Sequence, residues 1–228
     1  MIRKRSECSL DIAKYNRMAW NHEVAAGNRW TQPVDTGTIN QAKQGEWSIV
    51  LTPTKPVPRS WFGELAGRDV LCLASGGGQQ GPILAAAGGN ITVLDNSPAQ
   101  LDQDTMVAKR DDLTIRTVLG DMRDLSCFAQ ESFDIIFHPV SNSFVDDVSI
   151  VWRECYRVLR PGGILLAGVC NPILYIFNYN HWVSHKELAV HYKIPYSDLN
   201  QLPKEELDQL MAEKEPLCWG HSLEDQIG

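Results

Sequence analysis

The 228-residue chain has no cysteines at C-x-x-C spacing, although it contains six: Cys8, Cys72, Cys127, Cys155, Cys170 and Cys218. Scattered this way, several inside apolar runs, they suit small buried hydrophobes in a reducing compartment and argue against a disulfide framework or a zinc site. No apolar run approaches the roughly 18 residues of a membrane span, and the polar, charged start lacks a signal-peptide core. Positive charge is short as well. With 21 basic against 28 acidic residues the net charge is −7, which gives a phosphate-tracking nucleic-acid surface no support. Arg3-Lys4-Arg5 is too brief to alter that and reads as a solvated tail. Internal repeats and low-complexity tracts are also missing. These absences leave a cytoplasmic protein with one well-buried domain and with neither a nucleic-acid nor a membrane partner. Its 43% hydrophobic and 21% charged residues are ordinary for a globular chain.

What is present is an alternation of short apolar runs with helical patterns. Residues 1–30 read as helical, with Ala13, Arg17 and Trp20 flanking an aromatic face. Residues 31–60 carry Pro33, Pro53, Pro56 and Pro58 and read as an extended stretch outside the core. From Trp61 onward, "DVLCLA" (69–74), "ITVLD" (91–95), "LTIRTVL" (113–119), "FDIIF" (133–137) and "ILLAGV" (164–169) have strand length. Pro82 to Gly88-Gly89 outlines a short helix, and Ser97-Pro98-Ala99-Gln100 opens one running to about Arg110. Val148, Val151, Trp152, Cys155 and Leu159 share a helical face, and Arg160-Pro161-Gly162-Gly163 breaks that helix. Strands separated by helices imply an α/β fold, a Rossmann-like, doubly wound and mostly parallel sheet covered on both faces. Ligands of such sheets meet the carboxyl ends of the strands.

The residues at those ends are therefore the informative ones. In "LASGGGQQG" (73–81), Gly76, Gly78 and Gly81 satisfy G-x-G-x-x-G, where residues without a Cβ let backbone N–H groups approach a ligand. A tight turn without a ligand is the plainer alternative. Asp95, nineteen positions after Gly76, suits a carboxylate accepting both hydroxyls of a ribose, or else a turn ahead of the Ser97 cap. These two features fit NAD(P) and S-adenosylmethionine equally. Gly120-Asp121-Met122 sets an acid for an adenine amino group beside an apolar residue, unless it is a surface turn. "HPVSN" (138–142) supplies the catalytic candidates His138 and Asn142. His138 is a base or a structural histidine, and Asn142 orients a substrate or caps a turn.

Taken together, "VLCLASGGG", Asp95, Gly120-Asp121-Met122 and "RVLRPGG" resemble, in order and spacing, the core of the class I S-adenosylmethionine-dependent methyltransferases over about Trp61 to Val169. The chain departs from that family where Cys72 replaces an acid and Ala74 a glycine. The resemblance implies S-adenosylmethionine as the cofactor. Its amino-acid part would meet backbone groups of Ala74, Ser75, Gly76, Gly78 and Gln79, its ribose Asp95, and its adenine Asn96, Asp121 and Met122. His138 would contact the cofactor near its sulfur through its backbone, and Tyr15, Trp20 or Trp30 would cap the methionine side, against a plain helix-packing role. It also implies methyl transfer to a small-molecule acceptor by in-line displacement, which depends mainly on positioning. The Asn/Asp-Pro-Pro-aromatic motif of relatives acting on nucleic-acid bases or glutamine is lacking. Two alternatives stay open: an NAD(P)-binding oxidoreductase, although Tyr156 is followed by Arg160 rather than completing Tyr-x-x-x-Lys, and a non-catalytic S-adenosylmethionine-binding protein.

This reading divides the chain into a helical lid and extended linker (1–60), a cofactor-binding core (61–170) and a substrate-covering segment (171–228) rich in aromatics and histidines. His181 and His185 have no third partner at metal spacing, so no metal is expected. Against the family's seven strands only "PLCWGH" (216–221) offers one more, and Ser222 with Asp225 marks a helix start at the chain's end. The expectation is a truncated chain that lacks the last strand of the family sheet. A homodimer is left open.

Overall fold

The computed structural model describes residues 10–228; Arg3-Lys4-Arg5, Cys8 and the start of the expected N-terminal helix lie outside the described residues. Asp11 accepts the Lys14 N–H and caps α1 (Ile12–Ala26), which Gly27 closes in a left-handed conformation. The next stretch differs from its extended reading. Asp35 caps a second helix, α2 (Thr36–Lys43), whose Ile39 and Ala42 are buried in the core. The prolines flank this helix rather than interrupting it, so they punctuate the segment without excluding it from the core. A hairpin of β1 (Val50–Thr52) and β2 (Lys55–Pro56) follows, with Leu51 and Val57 also in the core.

The alternating part is as its pattern demands: β3 (Asp69–Leu73), α3 (Gln80–Ala86), β4 (Asn90–Asp95), α4 (Pro98–Asp111), β5 (Ile115–Leu119), β6 (Phe133–His138), α5 (Val148–Val158) and β7 (Leu159–Ala167). The strands form one sheet in the order β5-β4-β3-β6-β7, and every pairing is parallel. Both faces are covered. Along β3, Val70 and Cys72 enter a cluster with Ile39, Phe62 and Leu84, while Leu71 and Leu73 enter the opposite cluster with Val148, Val151 and Cys155. The chain runs outward from β3 to β5, then returns beside β3 as β6. The crevice expected at such a reversal lies between β3 and β6, at their carboxyl ends.

Two boundaries move. "LRPGG" belongs to β7, where a register shift against β6 and the positive φ of Gly162 (77°) make a bulge rather than a plain helix break. Beyond β7 come α6 (Tyr179–His185), β8 (Tyr196–Ser197), α7 (Asp198–Gln201), α8 (Lys204–Glu213), β9 (Trp219–Gly220) and α9 (Leu223–Ile227). The "PLCWGH" strand is β9, but it pairs antiparallel with β8 and stays off the main sheet. Ser222 and Asp225 do form a capping box, and a short α9 follows it, anchored by a bond from the Trp152 indole N–H to the Asp225 carbonyl at 2.9 Å. Among the described residues, no helix is long and apolar enough to cross a membrane.

Candidate active site

At the carboxyl end of β3 the chain reverses through Ala74 (φ 48°) and then Gly77 and Gly78 (φ 108° and 73°), a left-handed run that side chains disfavour. The reversal is tied to its neighbours through backbone amides. The Gly76 N–H donates to Asp95 Oδ2 at 3.0 Å, and the Gly77 N–H is shared between Asp104 Oδ2 at 3.0 Å and the Gln100 carbonyl at 3.1 Å. A Cβ on Gly76 would stand 2.7 Å from that of Gln100, so the close approach itself requires glycine. The Gly76 amide, expected to serve a ligand, therefore points into the protein instead, as does that of Gly77.

Above the loop is a cavity of about 270 Å³, near the lower end of small-ligand sites. It brings together Ala74, Ser75, Gly76 and Gln79 from the loop, Asp95 and Asn96 from the end of β4, and Asp121 with Met122 after β5. Trp20 and Trp30 close it from the N-terminal side, Trp20 standing edge-on to Phe144 at 5.0 Å. Asp95 is buried, which raises its carboxyl pKa, while the Ser97 and Gly76 N–H groups pull it down. Each of its oxygens accepts one of these N–H groups and keeps a further lone pair for a ligand hydroxyl. Asn96 is clamped to α1, donating to the Ala13 carbonyl at 2.6 Å and accepting from Arg17 Nε at 3.0 Å. Gln79 likewise spends its amide on the Arg29 and Gln32 carbonyls. The Asp121 carboxylate is held in a two-pronged pair by Arg123, which also reaches Asp146 at 2.7 Å.

Four expected residues lie outside this cavity. His138 ends β6 with its ring fully buried on the α5 side, edge-on to Trp152. Its Nδ1–H donates to the Leu73 carbonyl at 2.9 Å, and burial holds its pKa down at about 4. A neutral imidazole turned away from the cavity takes no proton there. Asn142 is equally buried, its amide donating to the Gly168 carbonyl at 2.6 Å. Tyr15 points away and donates to the Glu215 carbonyl at 3.0 Å. Gly78 accepts the Val34 N–H through its carbonyl and faces Pro33 and Gln103 rather than open space.

Other lining residues escaped the motif reading. Val50, Leu51, Thr52 and Pro53 of the β1–β2 hairpin form one wall, and Asn16, Gln100 and Arg123 complete it. The short apolar run Ile49-Val50-Leu51 was the signal for the first strand of the hairpin. Nothing local marked the other three. Two buried side-chain atoms in this lining have no hydrogen-bond partner, Ser75 Oγ and Gln100 Oε1. Natural proteins rarely leave such atoms unpaired without a ligand or water to meet them. Among the described residues, no group of three or more His, Cys, Asp or Glu side chains is placed to hold a metal.

Residues 71–167 match the family described as "Methyltransferase domain". Over 216 residues the chain is 52% identical to an uncharacterized methyltransferase, YbaJ, of Bacillus subtilis (strain 168), spanning 95% of this chain and 84% of that protein. More distant similarity covers the core alone. A sterol 24-C-methyltransferase of Neurospora crassa is 35% identical over 42% of this chain and 26% of its own length. A ubiquinone biosynthesis O-methyltransferase of Pseudomonas syringae pv. syringae is 28% identical over 54% of this chain and 55% of its own. The crystal structure of an S-adenosylmethionine-dependent methyltransferase from Mesorhizobium loti superimposes on 60% of this chain and 72% of its own with a TM-score of 0.47 and 20% identity. With half its residues shared over 95% of its own length and 84% of an uncharacterized methyltransferase, the chain belongs to the methyltransferase family.

Proposed function

We propose that the cavity above the glycine loop is the S-adenosylmethionine site and that the methyl acceptor is a small organic molecule. The observation that carries this is what the lining sets side by side: the spare lone pairs of Asp95 and the backbone groups of Ala74, Ser75 and Gly76. A ribose diol fits the first, and the amino-acid part fits the others. Met122 and Trp30 supply apolar surface for a ring. When bound, the cofactor supplies an activated methyl group on a sulfonium. The chain's part is alignment and water exclusion, worth several kcal/mol when reacting atoms are held about 3–3.5 Å apart. Among the described residues no His, Cys, Lys or Tyr side chain lines the cavity, and its carboxylates, Asp95 and Asp121, are held by backbone amides and by Arg123, which favours an acceptor whose nucleophile needs no early deprotonation.

In this proposal residues 1–60 serve as lid and wall and 61–170 as the cofactor core. Residues 171–228 cover the site through α1, since Glu215 and Leu217 bond Tyr15 and Asn16. A cytoplasmic location is supported by the unpaired Cys72, Cys127, Cys155, Cys170 and Cys218. Calorimetric titration with S-adenosylmethionine, its demethylated product and NAD(P)H is the direct test. Saturable binding of the first two is expected, and binding of NAD(P)H alone would overturn the proposal.

A further inference from the structure

A helix packed on a sheet ordinarily turns apolar side chains inward, yet α4 turns a carboxylate. Asp104 is completely buried, three residues from each of the core residues Leu101 and Val107. Taking a carboxylate out of water is costly, and an apolar residue of similar size would escape that cost. What Asp104 meets is the glycine loop. Its Oδ2 accepts the Gly77 N–H at 3.0 Å, and the Gly78 N–H also stabilises its ionised form. Since the Gly76 N–H goes to Asp95, three consecutive loop amides face two buried carboxylates, one ending β4 and one from inside α4. The second oxygen, Oδ1, has no partner and lies against Gly81, at the start of α3.

We infer that Asp104 is a positioning residue, which from beneath the glycine loop fixes the Gly77–Gly78 turn so that Ala74, Ser75 and Gly76 present their cavity side to the cofactor. It does not line the cavity, so it acts through the loop and not by contact. The inference rests on the S-adenosylmethionine site proposed above. Burial pushes its carboxyl pKa up to about 8; the two glycine amides oppose this and the charge of Asp95 adds to it. The titratable groups facing it are Cys72 from β3 and Asp95 from β4.

The test compares S-adenosylmethionine binding by calorimetry in the wild type, Asp104→Ala, Asp104→Asn and Val107→Ala, each at a temperature where circular dichroism shows it folded. Asp104→Ala is expected to weaken binding about tenfold or more, the scale of leaving a buried donor without its acceptor. Asp104→Asn, which keeps one acceptor oxygen, should bring the affinity back to within about threefold of the wild type. Val107→Ala thins the packing of the same helix without touching the loop; it should lower the melting temperature and leave the dissociation constant in place. Equal affinity in Asp104→Ala and wild type would overturn the inference alone, whereas a wild type that binds no S-adenosylmethionine would overturn the site and the inference together. Should the alanine protein not fold, the Gly77 amide resonance decides. It should shift as pH passes through about 8 in the wild type and lose that step in Asp104→Asn. The same titration in both proteins would refute the role.

Discussion

Single side chains at the strand ends carry more than one duty. Asp95, which in the proposed site accepts a ribose, already accepts the Gly76 and Ser97 N–H groups. Asp95→Ala is therefore expected to weaken S-adenosylmethionine binding by about 1–3 kcal/mol, and to lower stability by a similar amount because two buried donors lose their acceptor. An unchanged dissociation constant would remove Asp95 from the ribose. His138 carries the opposite lesson. Its place right after a strand made it a catalytic candidate, but β6 turns its ring away from the cavity, to the side where Trp152 sits. Alternation along a strand sends neighbours to opposite faces, and which face meets the cavity is not a local property. Asn142 and Tyr15 were misplaced for the same kind of reason, each taken up by a backbone carbonyl elsewhere.

At the scale of elements, α1 is fastened beside the cavity by polar side chains. Asn16 is buried and donates to the Phe144 and Leu217 carbonyls while accepting the Leu217 N–H at 2.8 Å; Arg17 holds Asn96 and Asn21 holds Ser97. Asn16→Ala leaves three backbone groups unpaired, the two of Leu217 buried and the Phe144 carbonyl half-buried, and a loss of about 2–4 kcal/mol in stability follows if they find no water. The helix should also open more often, so limited trypsin digestion ought to cut after Arg17 faster than in the wild type. Equal cleavage rates would show that α1 is held by Trp20 and apolar packing instead. The α/β elements themselves were legible because helix caps, prolines at first turns and apolar runs are local signals, as at Ser97-Pro98. The α2 helix and the β1–β2 hairpin were not, because four prolines dominated a segment whose order comes from burying Ile39, Leu51 and Val57.

For the molecule as a whole, two buried groups set opposite pH trends. His138 is neutral in the folded chain down to about 4, against 6.5 in an unfolded one. Between those values only the unfolded chain takes up the proton, so stability falls with falling pH by about 1.4 kcal/mol per unit. Asp104 has the reverse sign. The folded chain keeps a proton up to about 8 that an unfolded one releases near 3.8, so its contribution is present at low pH and lost as pH rises through about 8. From about 4 to 6.5 the two slopes cancel, and from 6.5 to about 8 that of Asp104 alone remains, so these groups leave the melting temperature level up to about 6.5 and falling above it. His138→Gln is expected to uncover a fall in melting temperature as pH rises from about 4 to 6.5, and Asp104→Asn a rise over the same range with no fall toward 8; pH profiles unchanged in both variants would contradict the assignment.

The sequence by itself determined the parallel α/β core, the glycine loop and Asp95 at the end of the second core strand. These follow from periodicity, capping and the freedom of glycine, all of which act between near neighbours in the chain. Only the tertiary structure decided that the β1–β2 hairpin walls the cavity, that His138 faces α5, and that Asp104 reaches the loop from twenty-seven residues away. Those outcomes depend on which faces meet once helices pack on the sheet, and the burial of distant surfaces against each other leaves no local periodic trace.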